Sequence, residues 1–142
     1  MLTHLISDAP FTLEQLKSLT QQDHHLSLSD EVVTKVQACR EYLDAKIAQS
    51  DEPIYGINTG FGSLYKENIS NEELEKLQEN IIKSHACGTG EEIPGHIVKL
   101  IILLKIQSLC HGHSGVQVST VQRLVDMYNS QAIPVLYEFG SL

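Results

Sequence analysis

The stretch Tyr55-Gly56-Ile57-Asn58-Thr59-Gly60-Phe61-Gly62 divides this chain into two predicted helical parts. Glycine loses more backbone entropy on folding than any other residue, so closely spaced glycines destabilise the interior of a helix or strand. The stretch is therefore predicted to be a loop that positions Tyr55 and Asn58. Three residues are predicted to act as its hinges, through positive φ angles or close backbone approach: Gly56, Gly60 and Gly62.

Two helices are predicted before this loop. Thr12 is a candidate N-cap and Gln15 follows it by three residues, which is the capping-box pattern, so a short helix is expected over residues 12–19. A longer helix is expected to begin at Ser29 and to end in the segment 50–53, because a proline disfavours helical geometry at the residue before it. Its apolar residues are spaced to share one face: Val33, Val36, Leu43 and Ile47. The first half of the chain is thus predicted to be helical scaffold.

Three further helices are predicted after the loop. Ser70 and Glu73 form a second capping-box pattern, which predicts a helix that runs to about His85. The run 97–106 is apolar almost all round, and such a helix requires neighbours on every side. A last helix is predicted over residues 119–129, with apolar residues on one face.

These elements predict an all-α fold with little or no strand, organised as a single domain over residues 1–142. The segment Leu26-Ser27-Leu28 is too short to predict a strand and is treated as a loop. The run 97–106 is interrupted by Lys99 and Lys105, and it is shorter than the roughly 20 apolar residues that a membrane span requires. No membrane partner is therefore expected.

The composition excludes several classes of partner. Eighteen acidic against ten basic residues give a net charge of −8, and no basic cluster is present, so nucleic acid is not an expected partner. The first eight residues have neither a basic leader nor a sustained apolar run, so the cytoplasm is the expected compartment. Three cysteines without a short-spaced pair are typical of reduced thiols.

The motifs also allow simpler interpretations. The glycine loop matches neither the dinucleotide-binding fingerprint nor the P-loop, and Tyr55 can be a side chain that merely caps the core. His85 can interact with the dipole at the end of its helix. The segment Cys110-His111-Gly112-His113 contains metal-binding residue types, but its spacing matches no zinc pattern, so no metal is expected.

Three motifs carry a resemblance to a known family. They are Tyr55 to Gly62, the segment Leu77-Gln-Glu-Asn-Ile-Ile-Lys-Ser-His-Ala-Cys-Gly-Thr-Gly90, and Gly112-His-Ser-Gly115. In order and spacing they resemble the N-terminal part of the aromatic amino-acid ammonia-lyases, from about residue 10 onward. The pair Ser84-His85 is similar to that of histidine-type members, whereas phenylalanine-type members carry Phe-Leu and tyrosine-type members carry His-Leu.

The resemblance implies non-hydrolytic elimination of ammonia from L-histidine, which gives urocanate. It implies that Tyr55 is a catalytic acid or base, that His85 takes part in catalysis, and that Ser84 and His85 bind the substrate. A positioned base suits this chemistry because the β-proton that leaves is weakly acidic. The resemblance further implies a homo-oligomer with shared active sites, and the glycine loop is expected to be mobile and to close over the substrate as a lid.

The family's prosthetic group is not expected within these residues. In the family, the segment matching Gly140-Ser141-Leu142 leads into Gly-Ala-Ser-Gly-Asp, whose Ala-Ser-Gly cyclises to a methylidene-imidazolone. The chain is therefore expected to be an N-terminal fragment that is inactive alone. Two alternatives stay open: a non-catalytic binding or regulatory module related to the lyases, and a lyase or aminomutase for another aromatic amino acid, against which Ser84-His85 argues.

Overall fold

The computed structural model describes residues 2–49, 52, 54–59 and 74–140. Over these residues the structure is rich in helix, as predicted, but it also contains short strands, so the expected scarcity of strand is confirmed only in part. The elements within the described ranges are β1 (Leu2–Ile6), α1 (Leu13–Gln21), β2 (His24–Leu28), α2 (Asp30–Gln49), α3 (Leu74–His85), β3 (Thr89–Glu92), α4 (Gly95–Cys110), α5 (Val118–Asn129) and β4 (Tyr137–Phe139).

The chain divides into two compact units. The first, which we call the core unit, comprises Met1–Lys46 and Glu92–Leu136. The second, which we call the loop unit, comprises Ile47–Glu91 and Tyr137–Leu142. The organisation as one domain stays a prediction.

Helix starts agree with the capping patterns where the structure describes them. The Gln15 N–H donates to Thr12 Oγ1 (3.2 Å) and the Thr12 N–H donates to Gln15 Oε1 (2.8 Å), which confirms the capping box of α1. At the start of α2, the Val32 N–H donates to Ser29 Oγ (3.2 Å), which satisfies one N–H that lacks a partner within the helix. The capping box predicted at residues 70 and 73 lies outside the described residues.

The prediction of a loop at Leu26-Ser27-Leu28 is wrong. These residues belong to β2, which pairs in parallel with β1 in the register Leu2↔His24 to Ile6↔Leu28. Asn129 at the end of α5 also binds this strand: the Leu26 N–H donates to Asn129 Oδ1 (2.7 Å) and Asn129 Nδ2 donates to the Leu26 carbonyl (2.9 Å). A strand too short to predict from its own pattern is thus held by partners distant in sequence.

The apolar core lies in the core unit. Its fully buried members come from β1, α1, β2, α2, α4 and α5: Ile6, Leu19, Leu26, Val32, Val36, Val98, Ile102, Leu103, Ile106, Leu109, Cys110, Val121, Val125 and Tyr128. At α2 the sequence pattern selected Val33, yet Val32 is the buried neighbour. The residue selected from the pattern is thus one position away from the residue that faces the core.

Helix α4 is buried on one side only. Leu103 and Ile106 are fully buried, whereas Ile97, Ile101 and Leu104 keep 39–45% of their surface exposed. The single chain thus covers one side of this helix, and for the face of these three residues the requirement for neighbours stays a prediction. Across the described ranges, no helix is long and apolar enough to cross a membrane.

Candidate functional site

The described part of the glycine loop is a hydrogen-bonded turn with Tyr55 at its surface. Residues 55–58 form the turn, in which the Ile57 and Asn58 N–H groups donate to the Ile54 carbonyl (3.0 and 3.3 Å). Tyr55 is 64% exposed. Gly56 has φ +76°, a conformation that strains residues with a Cβ, so the glycine predicted here is required by the backbone. Gly60 and Gly62 lie outside the described residues.

Two polar side chains are buried beneath this turn. Asn58 is 7% exposed and Thr59 is 1% exposed. The Ile54 N–H donates to Asn58 Oδ1 (2.7 Å), Asn58 Nδ2 donates to the Glu52 carbonyl (3.2 Å), and the Gly56 N–H donates to Thr59 Oγ1 (3.3 Å). Asn58 is predicted from the sequence to be a side chain that the loop positions. In the structure, its amide binds the backbone of the loop instead.

His85 ends α3, as predicted, and its ring is held by the last helical turn. Nδ1 lies 2.8 Å from the Ile81 carbonyl oxygen and 3.0 Å from Ser84 Oγ, and the Ser84 hydroxyl itself donates to the Ile81 carbonyl (3.0 Å). Because a carbonyl oxygen only accepts, this short contact favours the tautomer that carries the proton on Nδ1. In the neutral ring Nε2 is then an acceptor, at an exposed helix end.

The predicted site residues belong to one compact unit. Tyr55, Ser84 and His85 all lie within the loop unit. Ser84, predicted to bind the substrate, directly contacts the neighbouring His85 ring. Ser84 thus contacts both the Ile81 carbonyl and the His85 ring, and its role in substrate binding stays a prediction.

The segment Cys110-His111-Gly112-His113, which contains metal-binding residue types, begins in the apolar core. Cys110 is buried in the core, and this burial raises the pKa of its thiol to about 11, which disfavours the thiolate that binds metals. Within the described ranges, no three His, Cys, Asp or Glu side chains are grouped so that they could hold a metal ion. In the adjoining motif, Gly115 packs so closely on α2 that an added Cβ would lie 2.5 Å from Leu43 Cδ2.

A cleft of about 340 Å³ lies in the core unit, away from the predicted residues in sequence. It is lined by the end of α1 and the residues after it, by the N-terminal end of α4, and by the segment after α5; its members include Asp23, His96 and Lys99. Lys99 Nζ lies 4.8 Å from the centroid of the Tyr128 ring, which is a cation–π distance. None of the residues predicted from the motifs lines this cleft.

The chain belongs to the aromatic amino acid lyase family, which matches residues 11–142. Histidine ammonia-lyase from Deinococcus radiodurans is 38% identical over 138 residues, covering 97% of this chain and 26% of that protein. The Streptomyces avermitilis histidine ammonia-lyase is 35% identical over 142 residues, covering 100% and 28%. The crystal structure of histidine ammonia-lyase from Trypanosoma cruzi superposes with a TM-score of 0.81 at 32% identity, covering 99% of this chain and 27% of that one.

These comparisons confirm the resemblance that the three motifs indicate. The chain spans about a quarter of the length of the relatives it matches. The family is the class of lyases that depends on methylidene-imidazolone, yet the 142 residues contain no Ala-Ser-Gly from which that group forms.

Proposed function

We propose that this chain contributes the imidazole-recognising part of an ammonia-lyase active site, for elimination of ammonia from L-histidine to give urocanate. The observation that carries the proposal is the arrangement at the end of α3. There the Ile81 carbonyl and Ser84 contact Nδ1 of His85, which favours the tautomer protonated at Nδ1. Similarity to histidine ammonia-lyases over almost the whole chain supports the same substrate.

His85 has a direct chemical match in the proposed substrate. A neutral His85 presents Nε2 as an acceptor, and the imidazole of L-histidine carries an N–H donor. The phenyl ring of phenylalanine has no such donor and would leave Nε2 without a partner, which costs free energy in a desolvated site. Ser84 would thus act through the tautomer of His85.

Tyr55 is proposed to move a proton during the elimination. Elimination breaks a C–H bond at the β-carbon and the C–N bond at the α-carbon, so a base must take the β-proton as ammonia leaves. Tyr55 would take this proton as the phenolate and become the phenol, and its exposed side chain on a hydrogen-bonded turn lets Oη meet a bound substrate. Gly56, with Gly60 and Gly62, is proposed to act as a hinge of the loop.

In this proposal, the methylidene-imidazolone forms from residues outside these 142. Since no Ala-Ser-Gly is present, we expect the 142-residue chain alone to form no urocanate. We further propose that the working enzyme is a homo-oligomer, because the exposed apolar face of α4 formed by Ile97, Ile101 and Leu104 suits a protein neighbour. Three free cysteines fit the proposed cytoplasmic location.

Substrate selection in a hybrid enzyme tests the proposal. The 142 residues would replace the matching residues of the Deinococcus radiodurans histidine ammonia-lyase, and the hybrid's kcat/KM would be measured for L-histidine and L-phenylalanine. We expect a strong preference for L-histidine. The double substitution Ser84→Phe with His85→Leu should lower that preference at least about 100-fold. It removes the hydrogen bond proposed between His85 and the substrate imidazole, and it changes the shape of the pocket.

The control is Lys76→Ala, on an exposed position of α3, which should leave the preference unchanged. A folded, oligomeric hybrid that eliminates ammonia from L-phenylalanine as readily as from L-histidine would support a lyase for another aromatic amino acid. A folded hybrid without any lyase activity, beside an active parent, would instead favour the non-catalytic module.

A further inference from the structure

We propose that Asn58 is the positioning residue for Tyr55: its buried amide holds the turn that presents the phenol. The inference rests on the proposed catalytic role of Tyr55, and it adds a residue that does not itself meet the substrate. Asn58 is 7% exposed, whereas Tyr55, three residues earlier, is 64% exposed. The two side chains thus belong to the same turn, but one is buried and the other is exposed.

The hydrogen bonds of the turn converge on the residues that flank Tyr55. On its N-terminal side, Ile54 donates its N–H to Asn58 Oδ1 (2.7 Å), and its carbonyl accepts from the Asn58 N–H (3.3 Å). Asn58 therefore binds both backbone polar groups of the residue before Tyr55. This is the pairing that a neighbouring strand would provide, made here by a single residue.

Two further bonds complete the support. Asn58 Nδ2 donates to the Glu52 carbonyl (3.2 Å), three residues before Tyr55. On the C-terminal side of Tyr55, the Gly56 N–H donates to the hydroxyl oxygen of the buried Thr59 (3.3 Å). The backbone is thus held on both sides of Tyr55 by buried polar side chains, and the direction of the Cα–Cβ bond of Tyr55 follows from that geometry.

The chemistry of the position requires an amide. Oδ1 accepts from one backbone N–H while Nδ2 donates to one backbone carbonyl, so the side chain must carry an acceptor and a donor on a short stem. An aspartate keeps the acceptor but sets a carboxylate oxygen against the Glu52 carbonyl. A protonated aspartic acid restores the donor. The same position therefore provides a pH-controlled test of the support.

The first experiment follows the ring of Tyr55 in the 142-residue chain. With ¹³C-labelled tyrosine, the Tyr55 resonance is assigned among the chain's five tyrosines by its loss in Tyr55→Phe. We expect Asn58→Asp to shift and broaden this resonance at pH 7. Burial raises the pKa of a carboxyl group above its usual ~3.9, so lowering the pH protonates the aspartic acid and should return the resonance towards its wild-type position.

The wild-type chain over the same pH range corrects for other titrating groups. Asn129→Asp is the matched control, because the Asn129 amide makes the same pair of bonds to a backbone N–H and carbonyl, at Leu26 in the core unit. It should leave the Tyr55 resonance unchanged. If Asn58→Asp and Asn58→Ala also leave that resonance unchanged at every pH, Asn58 does not position Tyr55 and the inference is overturned.

The second experiment measures kcat and KM in the hybrid enzyme described above. Misplacing a catalytic group by about 1 Å can cost on the order of 100-fold in rate, so Asn58→Ala should lower kcat by about that factor while KM changes less than about threefold. Asn129→Asp should leave both parameters near those of the unmodified hybrid.

The two proposals fail separately. If Asn58→Ala disturbs the Tyr55 resonance but Tyr55→Phe turns over normally, the catalytic role of Tyr55 is wrong, while the support of the turn by Asn58 stands. If Tyr55→Phe is inactive while Asn58→Ala keeps the wild-type kcat, Tyr55 is catalytic and the inference about Asn58 alone is overturned.

Discussion

The core unit and the loop unit differ in what they bury. Every fully buried apolar side chain in the described residues belongs to the core unit, from Ile6 to Tyr128. In the loop unit, the fully buried residues that the structure describes are Asn58 and Thr59, both polar. One interior is thus stabilised by removal of apolar surface from water, while the described interior of the other depends on directional hydrogen bonds.

The proposed site residues lie in the unit whose described interior is polar. The family motifs of the loop unit carry Tyr55, Ser84 and His85, each exposed, and the groups that hold their backbone or ring are hydrogen-bond partners rather than apolar neighbours. Hydrogen bonds specify direction, which apolar contacts do not. A unit of this kind suits the orientation of polar groups towards a substrate, provided that the rest of the molecule supplies stability.

Truncation of a core side chain should give the largest difference between the two units in the free energy of unfolding. Leu103 is 0% exposed, and Leu103→Ala removes buried methyl groups and leaves a cavity, so it should lower the free energy of unfolding by about 2–5 kcal/mol. The matched change in the loop unit, Ile82→Ala, alters a side chain that is 70% exposed and should change stability by less than about 0.5 kcal/mol. Urea unfolding followed by circular dichroism measures both. Equal losses would contradict the division of roles.

Two glycines, one in each unit, should give a smaller difference when each is replaced by alanine. Gly115 has φ +65° and packs on Leu43, so Gly115→Ala should lower the free energy of unfolding by about 1–3 kcal/mol through backbone strain and displacement of the leucine. Gly56, in the loop unit, also has a positive φ.

Gly56→Ala should instead disturb the turn around Tyr55, with less effect on the unfolding of the core unit. The Tyr55 resonance and the urea transition together report the two effects. A Gly56→Ala chain that shows a wild-type Tyr55 resonance and a weakened core would reverse the assignment.

The sequence predicts those features that depend on neighbours along the chain. The capping box of Thr12 and Gln15, the start of α2 and the end of α3 at His85 all rest on contacts within four residues, and the structure confirms them. The requirement for a glycine at position 56 is likewise a local property of the backbone.

Features that depend on distant partners were missed. The strand β2 is held by β1 and by Asn129, about 100 residues away in sequence, so its own five residues carry too weak a signal. The choice between Val32 and Val33 depends on how α2 is rotated against the core. For Asn58, the available signal was an amide in a glycine-rich loop, which indicates a polar contact but not whether it is made to a substrate or to the backbone.

The most direct test of the central claim is the turnover of L-histidine by the hybrid enzyme with and without the Tyr55 hydroxyl. Tyr55→Phe keeps the ring and removes the group that would move the proton, so kcat for urocanate formation should fall by about 100-fold or more. Tyr42→Phe is the matched control, since Tyr42 is also exposed, at 69%, but lies in the core unit. Loss of kcat in Tyr55→Phe alone is the predicted result, and a Tyr55→Phe enzyme that forms urocanate as fast as the Tyr42→Phe enzyme would contradict the account.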